Sequence, residues 1–156
     1  MIILQPAITW HDDVTSLHGT LAATRLAQGH VLVSARLPLL ADLTVAENIA
    51  LPREYHLGVH AALARLQARE FVSRLLSPER ADLYPENLTT AETFAALWLR
   101  AVAVPGRTIV LDTPMASFNL DEAALRGYVT RSFGLYRHAH AHELHRRPQC
   151  ATAEAS

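Results

Sequence analysis

Apolar and polar residues along the chain follow two patterns, short apolar runs and helical spacing, and their order predicts an α/β fold. Residues 30–35 and 108–111 are short apolar runs that come after a glycine, and each is predicted to be a buried strand. The second run is entered from Pro105-Gly106 and ends at Asp112, and it is predicted to be buried on both faces. Helical patterns separate the two runs, which is typical of parallel strands joined by helical crossovers.

Two helix starts carry the capping-box pattern, in which a threonine is followed three residues later by a glutamate. Thr44 with Glu47 starts a helix that is predicted to end at Pro52. Thr89 with Glu92 starts a second helix, whose apolar side is predicted to lie in the core. That apolar side contains Phe94, Leu97, Trp98 and Val102.

The longest helical pattern covers residues 60–76, and a last helix is predicted from Asn119 or Asp121 to about Phe133. Apolar residues at near-helical spacing predict the buried face of the longer helix. They are Leu63, Leu66, Phe71, Leu75 and Leu76.

The two ends of the chain carry weaker patterns. Residues 2–9 fit a strand interrupted at Pro6, and residues 14–27 fit either a second strand or a short helix. Residues 1–28 are therefore left without an assigned structure. After Gly134 the sequence is rich in His and Arg and has no apolar periodicity, which predicts a disordered tail over residues 135–156.

The composition argues against several classes of protein but does not identify the function. The 156 residues carry a formal net charge of −1, which gives no bulk attraction to nucleic acid or to anionic membranes. The sequence contains no apolar run near the ~20 residues of a membrane-spanning helix, so no direct membrane insertion is expected. The single cysteine, Cys150, excludes an internal disulfide framework. A cytoplasmic protein is the expectation.

All fourteen basic residues are arginines, and the sequence contains no lysine. A phosphate-binding loop of the G-x-x-x-x-G-K-[ST] type uses lysine as a compact charge that reaches the β- and γ-phosphates, and the planar fork of arginine is a poor replacement. The six glycines never occur as G-x-x-x-x-G. The sequence therefore lacks such a loop, although an Ala- and Arg-rich coding bias also depletes lysine.

Four segments between residues 29 and 122 together resemble the middle of an ATP-binding cassette (ABC) ATPase. They are residues 38–52 (PLLADLTVAENIALP), Tyr84-Pro85 with Leu88, residues 100–103 (RAVA) and residues 111–114 (LDTP). In this order they resemble the segment after the Q-loop, the approach to the signature motif, the helix that follows it and the Walker B motif. The resemblance implies a partial P-loop NTPase-like parallel sheet that lacks the phosphate-binding loop. It also implies one domain over residues 1–134, with a helical subdomain at residues 42–88.

The positions that carry the chemistry of the family differ in this sequence. The Q-loop glutamine aligns with Ala35, the Walker B glutamate with Thr113 and the D-loop aspartate with Asn119. The signature L-S-G-G-E becomes Leu88, Thr89, Thr90, Ala91 and Glu92. No switch histidine is assigned, because no further apolar strand ending in histidine is visible. Asp112, the magnesium-facing carboxylate of the family, alone remains, so self-contained ATP hydrolysis is not expected.

By the same resemblance, residues 36–60 form a face that docks a membrane permease. The residues predicted to dock the partner are Leu39, Leu40, Leu43, Glu47 and Tyr55. The expected partner is an ABC transporter permease or a homologous ATPase subunit, and a dimer is one expected assembly. The protein would then lie at the inner face of the membrane through that partner.

Three functional hypotheses remain open from the sequence. The favoured one is a non-catalytic accessory or regulatory subunit without a cofactor. In the second, a partner completes a composite site in trans and the chain takes part in binding Mg-ATP. The third is a product with no retained role.

Metal binding is not predicted at Asp112 or in the tail. At the end of a strand, Asp112 alone is better explained as a cap of the following turn, because a lone carboxylate binds Mg²⁺ poorly. The tail histidines have spacing that suits only weak Zn²⁺ or Ni²⁺ binding, since nothing supports a second coordination shell. They are His138, His140, His142 and His145, with Glu143 among them.

Overall fold

The structure is a computed structural model that describes residues 8–11, 29–104, 108–133 and 140–144. Four strands form one sheet in which every neighbouring pair is parallel. The strands are β1 (Ile8–His11), β2 (His30–Val33), β3 (Thr108–Asp112) and β4 (His140–Leu144), in the spatial order β1-β4-β3-β2. This confirms the prediction of a parallel sheet built from strands that helices connect.

Strand β3 lies inside the sheet, and strand β2 lies at its edge. Ile109, Val110 and Leu111 are at most 6 % exposed, which confirms the prediction that this strand is buried on both faces. The β2 strand was also predicted to be buried, but Leu32 is 45 % exposed. An apolar run of four residues does not distinguish an edge strand from an inner one, because sheet order depends on the rest of the chain.

Strand β4 corrects the prediction of a disordered tail for five residues. His140–Leu144 pairs with β3, from Thr108 opposite His140 to Asp112 opposite Leu144. A sequence rule that looks for apolar residues misses such a strand, because the pairing is made by backbone groups. Residues 134–139 and 145–156 lie outside the described part of the chain, as do residues 12–28, so the other expectations for the tail and for residues 14–27 are not tested.

Five helices accompany the sheet in the described part of the chain, and two short 3₁₀ turns lie between the second and third of them. The helices are α1 (Val45–Leu57), α2 (Ala61–Leu75), α3 (Thr90–Val102), α4 (Pro114–Phe118) and α5 (Glu122–Phe133). The 3₁₀ turns are Pro78–Asp82 and Pro85–Asn87. Both predicted capping boxes form, at the starts of α1 and α3. The α4 helix was not predicted.

Helix α1 continues through Pro52, which the sequence analysis had placed at its end. Its actual end is at Gly58, which has φ 63° and ψ 22° and donates its amide to the carbonyls of Arg53 and Glu54. A proline inside a helix removes one backbone hydrogen bond. Packing outweighs that loss here, since Ile49 and other residues of the same helix are fully buried.

The buried face of α2 also differs from the predicted one. Leu63 and Leu66 are 49 % and 65 % exposed, whereas Ala64 and Ala68 are fully buried. Alanines on the inner side let the backbones of packed helices approach closely, so the larger leucines point outward. The prediction was right for Phe71 and Leu75, and Leu76 is partly buried against the core.

Helix α3 lies at the centre of the core, as predicted. Phe94, Leu97, Trp98 and Val102 are each at most 3 % exposed. Trp98 is therefore a core residue rather than part of an interface. Among the described residues, no helix combines the length and the apolar character that crossing a membrane requires.

Candidate functional site

The candidate site lies where β2 and β3 end side by side. The two strands are parallel and in register from His30 opposite Thr108 to Val33 opposite Leu111. The next residue of each strand therefore reaches the same edge of the sheet, the edge at which open α/β sheets bind their ligands. These two residues are Ser34 and Asp112.

Ser34 and Asp112 are joined directly by a hydrogen bond. The Ser34 hydroxyl donates to Oδ2 of Asp112 at 2.8 Å. Ser34 is buried, with 1 % of its surface exposed, and Asp112 is partly buried. A hydrogen bond to an ionised carboxylate in such a place is stronger than one between neutral groups. The bond therefore ties the edge strand to the inner strand.

Thr113 forms a hydrogen bond with the other oxygen of the Asp112 carboxylate. Its hydroxyl donates to Oδ1 of Asp112 at 3.3 Å and lies 3.2 Å from the hydroxyl of Ser117. Thr113 has φ 43° and ψ 51°, a left-handed conformation that is rare for a β-branched residue. A threonine hydroxyl cannot act as a general base near neutral pH, and here it serves as a hydrogen-bond donor to the carboxylate.

The described side chains that contact the Asp112 carboxylate are hydroxyls. Mg²⁺ is bound through oxygen atoms in octahedral geometry, with carboxylates and substrate phosphates among its ligands. Within the described ranges, no three His, Cys, Asp or Glu side chains are grouped so that they could hold a metal ion. Both Asp112 oxygens already accept hydrogen bonds from hydroxyls. No phosphoryl-transfer step follows from this arrangement.

The segment that resembles the signature motif is a helix cap. The Thr89 hydroxyl accepts the amide of Glu92 at 3.3 Å, and the Glu92 carboxylate accepts the amide of Thr89 at 2.9 Å. Arg80 also pairs with Glu92 at 2.8 Å. Leu88 is packed against the core, while Thr90 and Ala91 are exposed. The structure shows no hydrogen bond or ion pair, among its described residues, that joins this segment to Asp112.

The pKa of Glu92 is lowered chiefly by the hydrogen bond from the Thr89 amide, with a further contribution from Arg80. We expect Glu92→Gln to lower the free energy of unfolding by about 1 kcal/mol near pH 7. Because the folded-state pKa is depressed, this stabilisation is present above the usual pKa of glutamate and is lost as the pH falls through the folded value. Urea unfolding of wild type and variant should therefore differ near pH 7 and converge below about pH 4.

The matched control for this prediction is Glu86→Gln, which changes an exposed glutamate in the turn before the same helix. Its unfolding curve should stay close to that of wild type at both pH values. A Glu92→Gln defect that is equally large at low pH would show that the carboxylate charge is not what stabilises the cap.

The two remaining aligned positions, Ala35 and Asn119, both lie exposed in turns. Ala35 lies exposed in the turn after β2. Asn119 is exposed and follows α4 with φ 51° and ψ 45°, a left-handed conformation that asparagine tolerates better than most residues. The left-handed turn of the backbone therefore explains why an asparagine stands at position 119.

Loop 35–43, which connects the site to α1, is held by side chains that the sequence analysis did not assign. Ser34 accepts the Arg36 amide on its hydroxyl at 3.1 Å and the Leu37 amide on its carbonyl at 3.1 Å. Arg100 of α3 donates to the carbonyls of Leu37 and Pro38 at 2.9 and 3.0 Å. Burial lowers the pKa of the Arg100 guanidinium.

The far end of loop 35–43 is fixed by Asn48, which is 1 % exposed. Its side-chain oxygen accepts the Leu40 amide at 2.8 Å. Its side-chain nitrogen lies within hydrogen-bond distance of three carbonyls, those of Leu40 (3.0 Å), Leu43 (3.0 Å) and Thr44 (3.1 Å). The loop is therefore anchored at both ends and at its middle. The sequence signal that could have identified this anchor is an asparagine in the apolar stretch after the capping box.

The predicted docking residues divide into exposed and structural ones. Tyr55 is 84 % exposed and Leu40 is 49 % exposed. Leu39 is buried in the core, so it is not available at the surface, and Leu43 is partly buried. Glu47 completes the cap of α1 and lies 3.5 Å from Arg65. The other large apolar residues exposed within the predicted face, residues 36–60, are Leu37, Leu51 and Leu57.

Comparison with known proteins gives two findings. Over 74 residues the chain is 35 % identical to the methionine import ATP-binding protein MetN 1 of Rhodococcus jostii (strain RHA1), a match that covers 47 % of this chain and 22 % of that protein. A solved structure described as the dimeric structure of MJ0796, a bacterial ABC transporter cassette, superposes with a TM-score of 0.57 at 19 % sequence identity. That superposition covers 86 % of this chain and 57 % of the cassette chain. No family model matches.

The structural likeness shows the fold, and the sequence match points to the same class of protein independently. The matched part of the chain spans 22 %, about a fifth, of the length of the curated relative. The parallel sheet and the helices of this chain correspond to part of a cassette. The chain therefore shares the fold of part of an ABC transporter cassette, and about half of its sequence is similar to an import ATP-binding protein.

Proposed function

We propose that this domain is a non-catalytic accessory or regulatory subunit that acts through protein contacts with an ABC transporter. The observation that carries the proposal is a loop whose backbone is fixed by polar side chains while Leu37 and Leu40 are exposed. We call Leu37, Leu40 and Tyr55 the docking surface. Leu37 and Leu40 lie in loop 35–43, and Tyr55 lies in α1.

A surface of this kind suits protein recognition. Because Ser34, Arg100 and Asn48 already hold the loop in one shape, little conformational entropy remains to be lost when a partner binds. Exposed tyrosines are frequent energetic centres of interfaces, since they bury a large area with few rotatable bonds. The Tyr55 ring lies edge-on to that of His56, with 5.1 Å between the ring centroids.

The chemistry of the site supports the non-catalytic part of the proposal. Phosphoryl transfer requires lysine, metal and a base to act together on one phosphate. The sequence contains no lysine, and Thr113 stands where the resemblance expects the glutamate. Mg-ATP is accordingly not proposed as a cofactor of the chain by itself.

The partner is proposed from the named relatives. MetN 1 is an import ATP-binding protein, and the solved cassette is a dimer. By analogy the partner of this domain is a transporter permease or a homologous ATPase subunit. The domain would then be cytoplasmic and held at the inner face of the membrane by that partner, without inserting into the bilayer or binding nucleic acid.

Two measurements test the proposal. Isothermal titration of the purified chain with Mg-ATP should give no saturable heat; micromolar affinity together with turnover would contradict it. Co-expression with the permease and ATPase encoded by neighbouring genes should recover a complex. Tyr55→Ser should reduce the recovered partner by about tenfold, whereas Leu66→Ser, a matched change of an exposed leucine in α2, should not.

The second candidate is an ATP-binding subunit whose site a partner completes in trans. It is favoured by the position of Asp112 at the end of the inner strand, on the ligand-binding edge of the sheet. In this case Asp112→Ala should abolish the ATPase activity of the purified complex. Activity that is unchanged by the substitution would exclude the composite site.

A further inference from the structure

One side chain connects the Asp112 carboxylate to the docking surface. The Ser34 hydroxyl donates to Asp112 and at the same time accepts the amide of Arg36 at 3.1 Å. The Ser34 carbonyl accepts the amide of Leu37 at 3.1 Å, which closes the first turn of loop 35–43. Because Ser34 is buried, bulk water does not compete for these bonds.

We propose that Asp112 is a positioning residue for the docking surface and not a metal ligand. The inference rests on the proposed non-catalytic function, and it gives the Walker B-like carboxylate a role within that function. The bond to Asp112 fixes the rotamer of Ser34, whose hydroxyl holds the Arg36 amide, while the backbone carbonyl of Ser34 holds the Leu37 amide of the same turn. The turn that carries Leu37 is therefore tied to the end of β3 through Ser34 and Arg36.

The environment of the carboxylate favours this role over metal binding. Each oxygen of Asp112 accepts one hydroxyl, Ser34 on Oδ2 and Thr113 on Oδ1, and Thr113 is in turn 3.2 Å from Ser117. A metal ion at this carboxylate would have to displace these donors. Among the described residues, Asp112 does not belong to a group of three His, Cys, Asp or Glu side chains that could hold the ion.

The two roles make different demands on residue 112. The positioning role needs a hydrogen-bond acceptor, which an asparagine oxygen also provides. Mg²⁺ binding at a lone side chain depends on negative charge, so neutral asparagine should bind the ion more weakly than aspartate does. Comparison of Asp112→Asn with Asp112→Ala therefore separates them.

The experiment is amide hydrogen exchange of the full chain, measured by NMR at Arg36 and Leu37. Ser34→Ala and Asp112→Ala should each accelerate exchange at these amides by about tenfold, since each removes a charge-assisted bond. The double variant should exchange no faster than the single variants, because both act through the same bond. Asp112→Asn should stay within about threefold of wild type, because the acceptor is conserved.

Ser73→Ala is the matched control. Ser73 is exposed in α2, and its hydroxyl donates to the Glu70 carbonyl, away from the loop. Its substitution should leave exchange at Arg36 and Leu37 unchanged. Equal acceleration by Asp112→Asn and Asp112→Ala, or additive effects in the double variant, would overturn the positioning role.

A titration with Mn²⁺ and ATP distinguishes failure of this inference from failure of the proposed function. Paramagnetic broadening around Asp112 that disappears in Asp112→Ala would overturn both. Unchanged exchange in every variant, together with no broadening, would overturn the positioning role alone. Accelerated exchange with no broadening is the result we expect.

Discussion

Trp98→Ala is expected to lower the free energy of unfolding by about 4 kcal/mol, which for a domain of this size is a large share of the total. Trp98 is 1 % exposed in the middle of α3, and its removal leaves a cavity that rigid neighbours fill only in part. Its indole nitrogen also donates to the buried Ser132 hydroxyl at 2.8 Å, which connects α3 to α5. Urea unfolding followed by circular dichroism measures the loss.

Trp98→Phe separates the two contributions to this effect. It keeps most of the ring volume and removes the hydrogen bond to Ser132, so it should cost about 1–2 kcal/mol. Ser132 retains its bonds to the carbonyls of Tyr128 and Val129 in either variant. A Trp98→Ala loss below about 1 kcal/mol would show that the helices repack around the missing ring.

Parts of the fold that depend on neighbouring residues in the sequence could be predicted. The capping boxes at Thr44 and Thr89 are complete within four residues, so their pattern is visible in the sequence and both form. The apolar run of β3 was also sufficient to predict a strand, because a strand that is buried on both faces of a parallel sheet consists almost entirely of apolar residues.

The rest depends on residues that are far apart in the chain. Ser34 and Asp112 are 78 positions apart, and no local pattern shows that their strands are neighbours. Arg53 follows the proline that was expected to end α1, and it reaches the Ala103 carbonyl at 2.8 Å, 50 positions away, and Gln67 at 3.0 Å. Such contacts are fixed by the order of strands and by helix packing, which hydrophobic periodicity does not specify.

The connections within the candidate site were not predicted. The hydrogen bond from Thr113 to Asp112 follows from a left-handed backbone that the sequence does not show. The docking residues were chosen by resemblance, which does not separate exposed leucines from buried ones. Leu39 and Leu40 are adjacent in the sequence, yet only Leu40 reaches the surface.

Asn48→Ala is expected to lower the free energy of unfolding by about 3 kcal/mol and to release loop 35–43. The buried amide of Asn48 satisfies the Leu40 amide and the carbonyls of Leu40, Leu43 and Thr44, and an alanine satisfies none of them. Asn48→Asp should be at least as harmful near pH 7, since it replaces the donor with a charged acceptor that faces three carbonyls. Urea unfolding gives the stability change, and amide exchange at Leu40 reports the loop.

Asn87→Ala provides the control, because Asn87 is exposed in a 3₁₀ turn and its loss should change stability by less than about 0.5 kcal/mol. The proposed function adds a second expectation for Asn48→Ala. Under conditions in which the variant remains folded, it should recover less partner than wild type, since Leu40 is no longer held outward. If instead the variant unfolds at the same urea concentration as wild type and binds partner equally well, then Asn48 does not organise the loop, and a preformed docking surface is not what the partner recognises.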